Sequence, residues 1–181
     1  TKENRDIGKT IIQFNRRAGG MIVNGDIYAW GNNGNKITGI NLGYTGSKIS
    51  GTTYPVITGI VPLRAKIYDA KDKDGNNIDF YSSNYFSSPN RPKFIDFFNS
   101  VFVGTCGIST KGELFCGGTT RSVSSDQYSD LSKTTAENNI ELLYRSSYFN
   151  GSSDATKVKK IFANNAIWHI LGQNGKVYLW G

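Results

Sequence analysis

One eight-residue pattern occurs three times in this chain and limits its fold more than any other feature. Residues 24–31 (Asn-Gly-Asp-Ile-Tyr-Ala-Trp-Gly), 111–118 (Lys-Gly-Glu-Leu-Phe-Cys-Gly-Gly) and 174–181 (Asn-Gly-Lys-Val-Tyr-Leu-Trp-Gly) all carry it. Each runs from a glycine turn through any residue, an aliphatic, an aromatic and any residue to Trp-Gly or Gly-Gly. Alternation of period two straight after Asn-Gly or Lys-Gly marks the returning strand of a β-hairpin, because such turns need a positive φ that Gly, Asn and Asp adopt most easily. The outgoing strands match as well. Phe14-Asn15-Arg16-Arg17-Ala18 precedes Met21-Ile22-Val23 as Phe162-Ala163-Asn164-Asn165-Ala166 precedes His169-Ile170-Leu171. Their spacing is identical up to the turn, which is two residues longer in the last copy. The middle copy, Phe98-Asn99-Ser100 to Cys106-Gly107-Ile108, holds one extra residue.

The glycines that close the pattern stand at 31, 118 and 181, spacings of 87 and 63 residues. Propeller blades repeat at about 40 to 50 residues, so each unit must carry an insert. The pattern resembles the regulator of chromosome condensation repeat, whose unit ends in an aliphatic strand, an Asp-Gly or Asn-Gly turn and an aromatic-x-Trp-Gly strand. That family continues with an Asn- and Gly-rich loop and a Pro-led strand. Here Gly31-Asn32-Asn33-Gly34-Asn35 is followed by Thr53-Tyr54-Pro55-Val56-Ile57-Thr58-Gly59-Ile60. Gly117 departs from the resemblance where Trp is expected, the usual His before the aliphatic strand appears once, and residues 64–88 look inserted. The resemblance implies a seven-bladed propeller of four-stranded blades.

We read residues 1–181 as one domain, with a partial repeat at 8–31, a repeat at 32–118 carrying an inserted hairpin at 64–92, and a repeat at 119–181. So few repeats cannot close a ring of about four to eight blades. The expected fold is therefore mainly β, with antiparallel β-hairpin repeats forming a partial or open β-propeller-like sector and one to three short helices. Thr135 to Tyr144 opens on a good N-cap and is the best helix candidate. Ile7, Ile11, Phe14 and Ala18, and again Phe94, Phe97, Phe98 and Val101, also share helical faces. The opening TKENRDIGKT, without an initiator methionine or a signal-peptide pattern, reads as an excised segment or a mature product.

Composition excludes several classes of chemistry. Aromatic residues make up 13% and charged residues 19%, which rules out disorder for most of the chain. No apolar run approaches the ~18 residues of a membrane-spanning helix. One histidine and two cysteines are too few for a four-ligand zinc site. A Ser-His-Asp or Cys-His enzyme would rest on His169 alone, and its neighbours Trp168 and Ile170 make it a half-buried strand residue. Gly8-Lys9-Thr10 resembles the end of a P-loop, but Glu3 stands where the first glycine belongs. No catalytic residue, metal ligand or cofactor is expected.

Cys106 and Cys116 flank the Lys111-Gly112 turn. If Thr110 faces Glu113, the two cysteines lie one step off register, and a bulge or longer turn would bring them together. We expect a disulfide, and with it a periplasmic, secreted or cell-surface location. Two buried thiols in a cytosolic protein are the alternative. The run Asp69-Ala70-Lys71-Asp72-Lys73-Asp74-Gly75-Asn76-Asn77-Ile78-Asp79 has the alternating acids of a calcium loop. With Gly75 as the sixth position, however, Ala70 and Tyr81 fall where acids are required. A hairpin, Ala65 to Tyr68 out and Ile78 to Tyr81 back, accounts for it better, and calcium binding stays open.

The formal charge of +7 is scattered over Arg16-Arg17, Arg64 with Lys66, Arg91 with Lys93, and Lys157 with Lys159-Lys160. Such small clusters suit solvated faces and weak attraction to anionic surfaces, and no specific nucleic acid partner is expected. The sequence points to a non-catalytic binding module outside the cytoplasm that contacts a protein or glycan through its blade loops (32–52, 64–92 and 119–156). Two alternatives remain. The resemblance implies nucleotide exchange on a small GTPase with chromatin binding, although no exchange-active residue matches. Propeller scaffolds also carry glycosidases and lyases, although no paired carboxylates stand out. An open sector leaves room for assembly with further repeats or another chain.

Overall fold

A computed structural model describes residues 10–14, 18–32, 56–66, 85–100, 104–117, 142–146, 148–164 and 167–180. Twelve strands occur among them: β1 (Ile11–Phe14), β2 (Ala18–Val23), β3 (Asp26–Asn32), β4 (Val56–Pro62), β5 (Arg64–Lys66), β6 (Phe94–Ser100), β7 (Gly104–Ser109), β8 (Leu114–Gly117), β9 (Leu142–Arg145), β10 (Val158–Asn164), β11 (Ile167–Gly172) and β12 (Val177–Trp180). They form three sheets, ordered β1-β2-β3-β4, then β6-β7-β8-β9-β5, then β10-β11-β12. All pairings are antiparallel except that of β5 with β9, which is parallel. The fold is mainly β and open, and its hairpin sheets succeed one another like a propeller sector. Among the described residues the only helical element is a 3-10 turn at Tyr85–Ser87.

That one turn is within the one to three short helices expected, but the helical faces read in the sequence are strands wherever they are described. Phe94, Phe97 and Phe98 lie in β6, Ile11 and Phe14 in β1, and Ala18 in β2. Leu142 to Tyr144, the end of the expected helix, belong to β9; the rest of that helix, and the inserted hairpin beyond Lys66, lie outside the described residues.

The turns set the registers. Asn24 (φ 51°) and Gly25 (φ 79°) form a two-residue turn between Val23 and Asp26, as Asn-Gly favours. The second hairpin turns through three residues instead. The Ser109 N–H donates to the Glu113 carbonyl at 2.9 Å, with Gly112 at φ 79°. The third does the same from Gly172 to Lys176, with Gly175 at φ 78°. The extra residue corrects the two-residue register: Cys106 faces Cys116 and Thr105 faces Gly117.

The outgoing strands need a second correction. β6 and β10 each carry a bulge, between Phe94 and Asp96 and between Val158 and Lys160, whereas none interrupts β1. A bulge uses up one extra residue. Gln13 therefore pairs with Gly20 where Phe98 pairs with Cys106 and Phe162 with His169, so Phe14 is not the counterpart of Phe162.

Two hydrophobic layers separate the three sheets. Ile22, Ile27, Ala29, Leu63 and Ala65 pack against Phe94, Phe97, Phe115 and Leu143. Cys106, Ile108, Leu114 and Cys116 pack against Val158, Ile161, Trp168 and Ile170. The middle sheet thus has a core on each face, with Phe115 turned to the first and its neighbours Leu114 and Cys116 to the second. Each large side chain buried this way contributes about 1.5–3 kcal/mol. Gly107 lets the first two sheets close up, since a Cβ there would stand 2.5 Å from Ile27 Cδ1.

Candidate functional site

The hairpin turns line one rim, and a repeated set of bonds ties each to the next sheet. The Phe94 N–H donates to the Gly25 carbonyl at 2.8 Å, and the Val158 N–H donates to the Gly112 carbonyl at 2.8 Å. In both places a lysine side chain, Lys93 or Lys157, lies over the turn glycine so closely that a Cβ would touch it. The carbonyls of those lysines accept from their own hairpins, Lys93 from the Thr110 N–H at 2.7 Å and Lys157 from the Gln173 N–H at 2.9 Å.

The acidic residue after the turn glycine is held in place in the first two units. Asp26 accepts from Arg91 through both carboxylate oxygens at 3.0 Å, and from Lys93 at 3.1 Å. Glu113 accepts from the Ser109 hydroxyl at 2.8 Å and from Arg145 at 3.2 Å. A third carboxylate, Asp96, joins the second sheet to the third through Lys160 at 2.6 Å and also accepts from the Phe97 N–H. A partly buried fork between Arg and carboxylate is among the stronger polar contacts a protein makes.

Two aromatic groups sit beside this frame. The Ala65 N–H donates to the Tyr85 hydroxyl at 2.8 Å, and Arg64 lies 5.7 Å from the Tyr85 ring and 5.6 Å from that of Phe86. Burial pushes the Tyr85 phenol up to about 12, against an ordinary 10.0. On the third sheet the Asn174 amide donates to the Tyr178 hydroxyl at 2.9 Å. That bond lowers the Tyr178 pKa, whereas the bond to Tyr178 raises that of Tyr148.

The residues singled out in the sequence are placed as follows. Cys106 and Cys116 form a disulfide across β7 and β8, with Cα atoms 4.1 Å apart. His169 is half-buried in β11 and stacks on Phe162 at 4.6 Å, as an ordinary strand residue would. Arg91 with Lys93 serves Asp26, while Lys157 reaches Asp154 at 3.5 Å. Arg16-Arg17 and the Asp69–Asp79 loop lie outside the described residues. Among the described residues no group of three His, Cys, Asp or Glu side chains is placed to hold a metal ion. None of their helices is long and apolar enough to cross a membrane. The ion pairs across sheets escaped the sequence reading, although the acid after the turn glycine was a signal for them.

The comparisons with known proteins bear on the fold. No family model and no curated protein matches the chain. This overturns membership of the regulator of chromosome condensation repeat family, because the short hairpin pattern that carried the resemblance recurs without the rest of a family sequence. The structure is similar to the crystal structure of human WBSCR16, with a TM-score of 0.53 and 17% identity over 96% of this chain. The chain spans 33% of that protein's length, and a likeness at this identity establishes the arrangement of strands and nothing more.

Proposed function

We propose that this chain is a non-catalytic binding module that works outside the cytoplasm and contacts a protein or glycan through the loops joining its strands. The observation that carries the reading is how the described acid–base groups are used. Asp26, Asp96 and Glu113 are each neutralised by a lysine or arginine, and both cysteines are oxidised. A general acid or nucleophile needs a free group facing a cleft. Asp26 and Asp96 tie neighbouring sheets together instead, while Glu113 and the disulfide brace the middle sheet. The disulfide supports an oxidising compartment, since cytosolic thiols are kept reduced. The segments of the sequence that lie between the repeat strands, 32–52, 64–92 and 119–156, are the candidates for the contact, because recognition usually resides in connections carried on a stable frame.

The test is deletion of residues 69–79, followed by circular dichroism and binding to a printed glycan array and to intact cells. The fold should be retained and the binding profile altered. Turnover of a nitrophenyl glycoside or phosphodiester, lost on replacing one carboxylate, would overturn the reading.

A further inference from the structure

We propose that Tyr148 and Tyr178 form an oxidative modification site, where a one-electron oxidant of the haem-peroxidase class joins their rings into a dityrosine cross-link within one chain. Both residues belong to the junction of the second and third sheets. Tyr178 follows Val177 in β12, and alternation turns its ring to the opposite face, toward Phe149 and the core that those two sheets share. Tyr148 stands beside Phe149 in the connection from β9 to β10. Phe149 is fully buried. Its N–H donates to the Ser146 hydroxyl at 3.1 Å, and its carbonyl accepts from the Leu114 N–H at 2.9 Å. The backbone that carries Tyr148 is therefore fixed against the middle sheet.

The two tyrosine rings meet over this anchor. Their centroids are 6.0 Å apart at an interplanar angle of 59°, inside the range of about 4.5–7 Å for aromatic rings in contact. Phe149 packs edge-on against both, at 4.9 Å from Tyr148 and 5.1 Å from Tyr178. The hydroxyls share a hydrogen bond. Asn174 fixes the Tyr178 oxygen by donating to it at 2.9 Å, while its own side-chain oxygen accepts from the Lys176 N–H at 3.1 Å. Gly172 lets this group close up, because a Cβ there would stand 2.6 Å from Asn174 Oδ1 and 3.2 Å from Tyr178 Cε2. The ring carbons that couple in a dityrosine are those next to the hydroxyl-bearing carbon, so bonded hydroxyls bring them together. Tyr148 is 37% exposed, which opens the pair to an oxidant in solution. Fast side-chain motion at such an exposed residue lets the ring edges meet.

The acidity of the pair assists the step. The Asn174 bond, and after it the bond from Tyr148, lowers the Tyr178 pKa, and a phenol that releases its proton readily also releases an electron readily. The oxidant takes one electron and one proton from each phenol. The two radicals combine through a bond between ring carbons ortho to their oxygens. The hydrogens on those carbons then move to the oxygens as protons, which restores both phenols. Hydrogen peroxide accepts the two electrons and two protons and leaves as two water molecules. The product is lighter by two hydrogen atoms, and it ties the connection before β10 to β12.

The experiment treats the 181-residue chain, at low concentration, with a haem peroxidase and hydrogen peroxide, followed by dityrosine fluorescence, size separation and tryptic mass spectrometry. The chain has ten tyrosines, so the linked peptides decide the outcome. A fluorescent single-chain product is expected, in which the peptide from Ser146 to Lys157 is joined to the one that begins at Val177. Tyr148→Phe and Tyr178→Phe keep each ring and its packing, and each should abolish that linked pair. A far-UV circular dichroism spectrum matching that of the unaltered chain reports that both variants are folded. Absence of dityrosine in the unaltered chain would overturn the proposal. So would links found only between chains or only at other tyrosines, or an unchanged yield of single-chain product in both variants.

Discussion

Opening the Cys106–Cys116 bond is a perturbation whose size follows from the hairpin register. The cysteines are ten residues apart in sequence, and closing a loop of that length removes about 2.7 kcal/mol of unfolded-chain entropy at 25 °C on the chain-entropy model. Reduction isolates this effect, because Cys106 and Cys116 lie within the core shared by the second and third sheets and remain small apolar groups as thiols. Replacing both by alanine should cost ~1–2 kcal/mol more, since each lost sulfur leaves space beside its neighbours. The assay is urea unfolding of protein refolded with and without reductant. Two-state stability should fall by about 2–3 kcal/mol, with a midpoint lower by roughly 1 M. Thermal unfolding should shift down by about 5–11 °C. If oxidised and reduced protein unfold within about 0.5 kcal/mol of each other, the cross-link is not restraining the chain as reasoned here.

Three further outcomes follow from the packing. Tyr85 has a folded pKa of about 12 against 10.0. Its neutral form therefore stabilises the fold fully below about pH 10, and that contribution, roughly 2–3 kcal/mol, is lost as pH rises through about 12. Urea midpoints compared with Tyr85→Phe across this window should converge at the alkaline end; parallel curves would refute the assignment. Gly107→Val places a Cβ 2.5 Å from Ile27 Cδ1 and 2.8 Å from the Phe94 ring. It should lower stability by about 2–3 kcal/mol in thermal unfolding, and a neutral effect would mean the first two sheets do not pack as described. Asp26→Asn breaks the fork with Arg91 and the contact with Lys93. It should cost about 1–3 kcal/mol by urea titration, and an unchanged midpoint would show that this junction is held by its apolar contacts.

The sequence was readable where alternation survives and misleading where a bulge breaks it. Ile27 and Ala29 follow their turn with strict period two, and β3 is a strand as read. In β6 the bulge lets Phe94 and Phe97, three residues apart, face the same core. Spacing by three is a helical signature, which is why this strand imitates one. Val158 and Ile161 repeat the effect in β10. The disulfide was legible as a cysteine pair around a turn, but its register depended on one loop residue that composition does not specify. The carboxylate pairs were hidden because Asp26 meets Arg91 from 65 residues away, and nothing local announces a partner at that distance.

The position of the disulfide within the fold has its own logic. A hairpin normally finds its register because one face is apolar and the other polar, and a slip of one residue would exchange them. The middle hairpin lacks that guide: every residue of β7 and β8 is buried, because both faces meet a core. A slip would place Phe115 against the third sheet and Leu114 against the first, exchanging apolar groups of different size with little hydrophobic penalty. The errors would then fall on both cores together. Cys106 and Cys116 face one another only in the native register, so the covalent bond singles out one pairing where hydrophobicity alone discriminates poorly. The flanking hairpins carry Gly20 opposite Ala29 and His169 opposite Leu179 at the same cross-strand position. The outer faces of their sheets leave Phe14 and Leu179 exposed, so the exposed–buried contrast survives there to set the register. Among the described hairpins, the cross-link therefore stands in the one whose own pattern could not align it, in the middle sheet with a core on each face.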